Sequence, residues 1–438
     1  MALRDDYSGP FEPDLGLADF SRQTLARLGR EYLLSGHLQD RVGLPLVAKQ
    51  LGGDAYVQFA IEEWMAASPI YSLRMQRAMS FEGHDVGTVF KNLQLDIGAP
   101  HQFMDFQFRL DGPDYGEFWL PHCGALLDVE PYGEDHVKSM CHAIEDPTFD
   151  ATAAATHPCM KMRPIHRPPR VPKGRTPACR WSVFIDDEAT PFEQHANLAR
   201  VARSKLAGIE LEVPAADGEP GGWPDYSGPF DPDFQLEDLS HRALVRVAQE
   251  FAVQSHLLAR AFALCVSQRQ NAEVARQLSE AQWTGIAALT AERLRGPLAI
   301  QGDDIEAVAK VFQLHPCFQP RSYLDFSIAI TGPRRARISI GDCPAFHEED
   351  ACSWFAGLAA SPHRALDAIA GSVNPRARCH AVEDVRAGAG SDSRDVRLAW
   401  DVVIDPAAEP QLPPQELNLA KLSRGAEFRF EQRRPLRV

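Results

Sequence analysis

An α+β fold built twice in tandem is what this sequence predicts. Each unit has a helical front half followed by an antiparallel sheet, and the two units are expected to pack as a pseudo-dimer. Three observations carry the expectation. Asp6-Tyr7-Ser8-Gly9-Pro10-Phe11-Glu12-Pro13-Asp14 returns as Asp225-Tyr226-Ser227-Gly228-Pro229-Phe230-Asp231-Pro232-Asp233, an offset of 219. That offset holds at Ser21/Ser240, His37/His256, Trp64/Trp283 and Gly83/Gly302, slips to 220 at Asp105/Asp325 and Cys123/Cys343, and is 219 again at Trp181/Trp400 and Asp186/Asp405. Drift that recovers at aromatic anchors is what one duplicated fold with loop insertions produces. Third, helical periodicity comes first in each unit and strict alternation after it. The predicted boundaries are 1–212, a Pro/Gly linker over 213–224, and 225–438.

In the first unit, Ser21 caps a helix carrying Leu25, Leu28, Tyr32 and Leu33, which is expected to deliver His37 just after its end. A longer helical region follows from Asp54 to Met79, in which Pro69 must kink the helix or start a new one. Asp85 to Leu95 makes a short amphipathic helix. Alternation at Phe106, Phe108 and Leu110, then at Phe118 and Leu120 beyond Gly112-Pro113, reads as a hairpin ending on His122-Cys123. Helix returns over Glu134–His142, strands are expected near Met160–Ile165 and Cys179–Ile185, and a helix over Phe192–Leu206 closes the unit.

Composition narrows the function. The 438 residues are 45% hydrophobic and 24% charged, which suits a globular chain. A net charge of −15 speaks against nucleic acid and anionic membrane surfaces as partners. No run approaches the ~18–20 apolar residues of a membrane span. The opening MALRDDYSGP reads as neither a signal nor a transit peptide. Nine Cys without a secretory leader then imply reduced thiols and a cytoplasmic location. A small-molecule substrate is the expected partner, with a homodimer allowed for.

The chemistry-bearing stretch is Trp119–Asp146. His122-Cys123 and Cys141-His142 lie 18 residues apart (123 to 141), and Glu145-Asp146 follows. Cys123, Cys141 or His142, and Cys179, with His122 beside them, are soft-to-borderline ligands suited to zinc first and iron second. Glu63 is the expected base for a metal-bound water, with Asp146 a further carboxylate in the catalytic set. The rival mechanism makes Cys123 a nucleophile activated by His122 or His142. Equally, the thiols could be plain core residues. The basic loop Arg163–Arg175 suggests a lid whose Arg167 or Arg170 clamps a substrate carboxylate, with His37 also at the substrate.

Comparing the units sorts these residues. Glu63 becomes Gln282, His122 becomes Asp342 and Cys179 becomes Leu398, so the first unit holds the richer set. Cys141-His142-Ala-Ile-Glu145-Asp146 is matched to Cys379-His380-Ala-Val-Glu383-Asp384 at an offset of 238. The basic loop has no equivalent around Ala387–Asp392.

At Glu62-Glu63, His122-Cys123, the Cys141 to Asp146 element with Phe149, and Cys179-Arg180-Trp181, the chain resembles the L-2-amino-thiazoline-4-carboxylic acid hydrolase-like family. The resemblance covers each unit nearly end to end and implies hydrolytic opening of a C–N bond in a small cyclic substrate. It departs in having two units, and in His142 where a second Cys is common. The expected function is a metal-dependent hydrolase or lyase acting on a carboxylated or nitrogen-containing ring. The alternatives are a Cys-nucleophile hydrolase and a ligand- or metal-binding sensor module.

Overall fold

The computed structural model describes residues 3–53, 55–358, 363–383 and 395–438. Its first half runs α1 (Arg22–Leu51), α2 (Ala55–Ala78), α3 (Val86–Leu93), β1 (Gln107–Gly112), β2 (Tyr115–Leu120), α4 (Gly124–Val129), α5 (Glu134–Lys138), α6 (Glu145–Ala154), β3 (Met160–His166), β4 (Cys179–Ile185) and α7 (Ala196–Ala202). A π-helical turn, Ser139–Ile144, joins α5 to α6. The second half runs α8 (His241–Arg269), α9 (Ala272–Leu294), α10 (Ile305–Leu314), β5 (Phe326–Gly332), β6 (Arg335–Gly341), α11 (Arg364–Val373), β7 (Ala377–Ala381), β8 (Val396–Ile404) and α12 (Gln415–Ala420). Each half forms one four-stranded antiparallel sheet, ordered β1-β2-β4-β3 and β5-β6-β8-β7. The fold class is therefore α+β. Residues 213–224 carry neither helix nor ladder strand, and Trp223 there bridges to Leu239.

The first helix is longer than its periodicity suggests. It continues through Pro45 to Leu51, so His37 sits mid-helix and buried, not beyond the end. Pro45 removes the donor for the Arg41 carbonyl and Pro69 does the same to Met65 in α2, yet neither ends its helix. Both helices are held from outside, because α1 packs along α8 and α9, and α2 along α8.

One hydrophobic core spans both halves, from Tyr7 and Leu25 to Trp400 and Leu417. Contacts between the halves recur in pairs displaced by 219 positions. Arg74 forms a buried bidentate pair with Glu250 (2.7 and 3.1 Å), and Arg293 forms one with Glu31 (2.7 and 3.0 Å). The Tyr7 hydroxyl donates to Gln313 Oε1 at 2.6 Å, and Tyr226 to Gln94 Oε1 at 2.8 Å. Lys310 Nζ donates to the Gly9 carbonyl and Lys91 Nζ to that of Gly228, both at 2.6 Å. The repeated Asp-Tyr-Ser-Gly-Pro-Phe segments are thus clasps, each seated on the third helix of the other half.

One correspondence expected from the sequence is displaced. Cys379 and His380 lie on β7 opposite Val402 and Asp401, whereas Cys141 and His142 lie in the π-helical turn. The Cys379 N–H donates to Asp367 Oδ1 at 2.7 Å just as Met162 N–H donates to Asp150 Oδ1 at 3.0 Å. Cys379 therefore occupies the place of Met162, and the matched dipeptides are unrelated in position. Loop lengths on either side of α6 and α11 differ, so even a six-residue match there carried no register. Glu383 follows β7; Asp384 and the Ala387–Asp392 stretch lie outside the described residues.

Candidate functional site

Helical spacing builds an internal cavity in the first half. His37, Asp40, Arg41 and Leu44 stand at i, i+3, i+4 and i+7 on α1, which places them on one face. Ala60, Trp64 and Tyr71 supply the facing stripe of α2, and Met140, Ile144, Thr148 and Thr152 step in fours along the π-helical turn and α6. With Asp96, Phe106, Glu145 and Phe149 they enclose about 140 Å³. An outer, mostly apolar vestibule of about 290 Å³ shares Asp40, Arg41, Leu44, Met140 and Ile144 with it. Leu419, Leu422 and Ser423 of the second half complete that vestibule. Asp128 ties its rim together, accepting from Arg41 Nε (2.8 Å), Ser423 Oγ (2.7 Å) and Arg424 N–H (2.7 Å).

Burial sets the protonation of this cavity. Asp40 Oδ2 accepts from Trp64 Nε1 at 2.7 Å, while its Oδ1 is buried without a partner. Desolvation raises that carboxyl to about 6, against the pull of the Trp64 hydrogen bond and Arg41. Asp96 accepts from the Tyr71 hydroxyl (3.0 Å) and Gly98 N–H (2.6 Å), and burial raises it to about 6 as well. Glu145 is pushed furthest, to about 8, by burial that Arg167 only partly offsets. Part of its surface faces the cavity, so its residual exposure is to that space. His37 goes the other way: burial and then Arg41 push it well down. Arg41 Nη2 lies 3.2 Å from His37 Nε2, and because a guanidinium only donates, the imidazole is neutral and accepts there.

Glu145 also lines a chamber of about 10 Å³, room for roughly one water. Its other walls include Cys123, Cys141, Cys179, Phe149 and Trp181. The three predicted thiols do come together. Cys123 caps α4, its Sγ accepting from Leu126 N–H at 3.3 Å and lying 3.6 Å from Met104 Sδ. Burial, and then the nearby Glu145, push the Cys123 thiol up to about 12. Burial raises Cys141 and Cys179 too. Among the described residues, no three His, Cys, Asp or Glu side chains stand where they could hold a metal ion. The donors are soft enough for zinc or iron, but among the described residues they are not placed as a three-ligand set.

Other predicted site residues fall elsewhere. Glu63 is fully buried outside the cavity lining, both oxygens unpartnered, and is pushed well up by burial and then by Asp40. It therefore does not stand at the pocket where a base would act. The His122 ring stacks on Phe428 at 6.0 Å, and His142 Nε2 donates to the Pro168 carbonyl at 2.7 Å, so neither histidine serves Cys123. Arg167 is ion-paired with Asp146, and Arg170 holds Glu130 through two bonds of 2.7 and 2.6 Å. These arginines pin their own loop down, which leaves no clamp for a substrate carboxylate.

Asp40 and Asp96 escaped the sequence reading, and Glu145 stood in the chemistry-bearing stretch without a role of its own. The signal for the two aspartates was present: at the 219 offset, Asp40, Tyr71 and Asp96 become Ala259, Thr290 and His315. Aromatic rings crowd the equivalent place in the second half. Trp354 stacks on Trp283 (6.0 Å, 2°), donates to Gln282 Oε1 at 3.1 Å, and meets the His256 ring edge-on at 5.5 Å. No family model matches this chain, nor does any curated protein or solved structure.

Proposed function

We propose that the first half is an acid–base enzyme that hydrolyses a C–N bond in a small nitrogen-containing ring compound. The observation that carries this reading is one pocket lined by two carboxyl groups that its environment raises to different degrees, Asp40 to about 6 and Glu145 to about 8. At neutral pH Asp40 is ionised with Oδ1 free, and Glu145 keeps its proton. Asp40 takes a proton from the attacking water as its oxygen bonds to carbon. Glu145 gives its proton to the departing nitrogen as the C–N bond breaks. Exchange with solvent through the vestibule resets both groups. Neutral His37 is positioned by Arg41 to accept a hydrogen bond or to order the water.

The resemblance to the L-2-amino-thiazoline-4-carboxylic acid hydrolase-like family supports C–N hydrolysis as the reaction class. A carboxylated substrate is less well served, since the cavity is rich in carboxyls and Arg167 and Arg170 are occupied. The mechanism uses the chain's own groups and routes no step through a metal. We further read the halves as two copies of one unit packed like its dimer, the first keeping the site and the second filling it. What supports this is the pairing of cross-contacts at 219 and the loss of Asp40, Tyr71 and Asp96 from the second half.

The test is a screen of cyclic amides, imines and amines for ring opening, with pH profiles on any hit. Turnover should rise through about pH 6 and fall through about pH 8. Glu145→Gln and Asp40→Asn should each lower kcat by about 100-fold or more, while Glu63→Gln should have little effect. Saturable binding with no turnover in any class would replace this reading with a ligand-binding module.

A further inference from the structure

We propose that the inner cavity takes its ligand as a compact organic monocation, a protonated amine on a single ring, with Asp40 as the counter-ion. The inference rests on this cavity being the working site, and concerns what charge and size it selects. Asp40, Asp96 and Glu145 line it, and the one cation among its walls, Arg41, already pairs with Asp128 at 2.8 Å. Asp40 lines this space and is only 5% exposed, and its Oδ1 is buried with no partner among the described residues. An oxygen left so is costly unless something enters to satisfy it.

Asp40 and Asp96, raised only to about 6, are both ionised at about pH 7, and Arg41 is shared with Asp128. An ammonium group would supply further charge and donors. A carboxylate ligand would meet two groups of its own sign. Trp64, Phe106 and Phe149 line the same space, and aromatic walls add affinity for a cation that reaches a ring face. The volume, about 140 Å³, is close to that of an apolar cavity known to admit one benzene ring. In the second half Ala259 replaces Asp40, which removes the counter-ion.

Calorimetric titration of the full chain at about pH 7 with matched pairs tests this. Benzylammonium against benzyl alcohol, and the smaller pyrrolidinium against tetrahydrofuran, differ in charge far more than in shape. At least one cation should bind about tenfold or more tighter than its neutral partner. Asp40→Asn should erase that preference, and Ala60→Leu, which fills the cavity, should weaken both members of the pair. Should Asp40→Asn fail to fold, the preference of the wild type for benzylammonium should fade as pH falls through about 6 and Asp40 takes up a proton, and a preference unchanged across that range would overturn the inference. Equal binding of cation and neutral probe, no binding by either pair, or a preference that survives in folded Asp40→Asn would overturn the inference. Ring opening of neutral substrates alone, with no cation preference, sinks this inference and leaves the enzyme reading intact. Cation preference without turnover of any ring does the reverse.

Discussion

Glu145 owes its chemistry to where it sits, between a small chamber lined by thiols and a pocket lined by carboxyls. Its proton should be visible in stability. From the ordinary carboxyl value of 4.5 up to about 8, the folded state holds a proton that the unfolded chain has released. Its contribution is therefore full below pH 4.5 and declines as pH rises through about 8. Asp40 and Asp96 repeat this between 3.8 and about 6. Glu145→Gln should accordingly stabilise the protein by about 1–3 kcal/mol at about pH 8.5 and leave it near wild type at about pH 5. Thermal melts at both values check it, and a variant destabilised at both contradicts it. Residue type alone pointed to Cys123, Cys141 and Cys179, whose convergence was legible because ligand-like residues are rare. It misplaced Glu63, since nothing in a one-dimensional comparison says whether a carboxyl faces a cavity or a neighbouring helix.

At the scale of elements, burial falls on every second residue in β3 and β4, whereas in β1 and β2 it does not, so the Gly112-Pro113 turn between apolar runs was the stronger signal for that hairpin. Helix ends were less readable. Pro45 and Pro69 suggest breaks, but packing on α8 and α9 outweighs the roughly 3 kcal/mol that an interior proline costs. The π-helical turn carrying Cys141 had no signal, as its extra residue per turn leaves the apolar spacing almost unchanged. The turn Trp354–Gly357 lays Trp354 over Trp283 and so fills the space beside α9. Trp354→Ala should reopen that space and destabilise the protein by about 3–5 kcal/mol, measured by urea unfolding. A loss under about 1 kcal/mol would mean the ring is not a core member.

Across the whole molecule, the two halves share one core and exchange clasps, so neither is expected to fold alone. The offset of 219 made this pairing legible in outline, while the partners of each contact were not, because buried ion pairs look like any other Arg and Glu in sequence. Arg74→Met would leave Glu250 buried without its charge and should cost about 3–5 kcal/mol. Arg74→Met with Glu250→Leu should recover most of that. A single mutant as stable as wild type would remove the pair from the forces joining the halves. The sharpest measurement on the intact chain is the titration of Glu145, by infrared difference between wild type and Glu145→Gln. Expected is a protonated carboxyl band that persists at about pH 7 and vanishes through about pH 8. A carboxyl already ionised at about pH 5 would contradict an acid–base cavity built on Glu145 and Asp40.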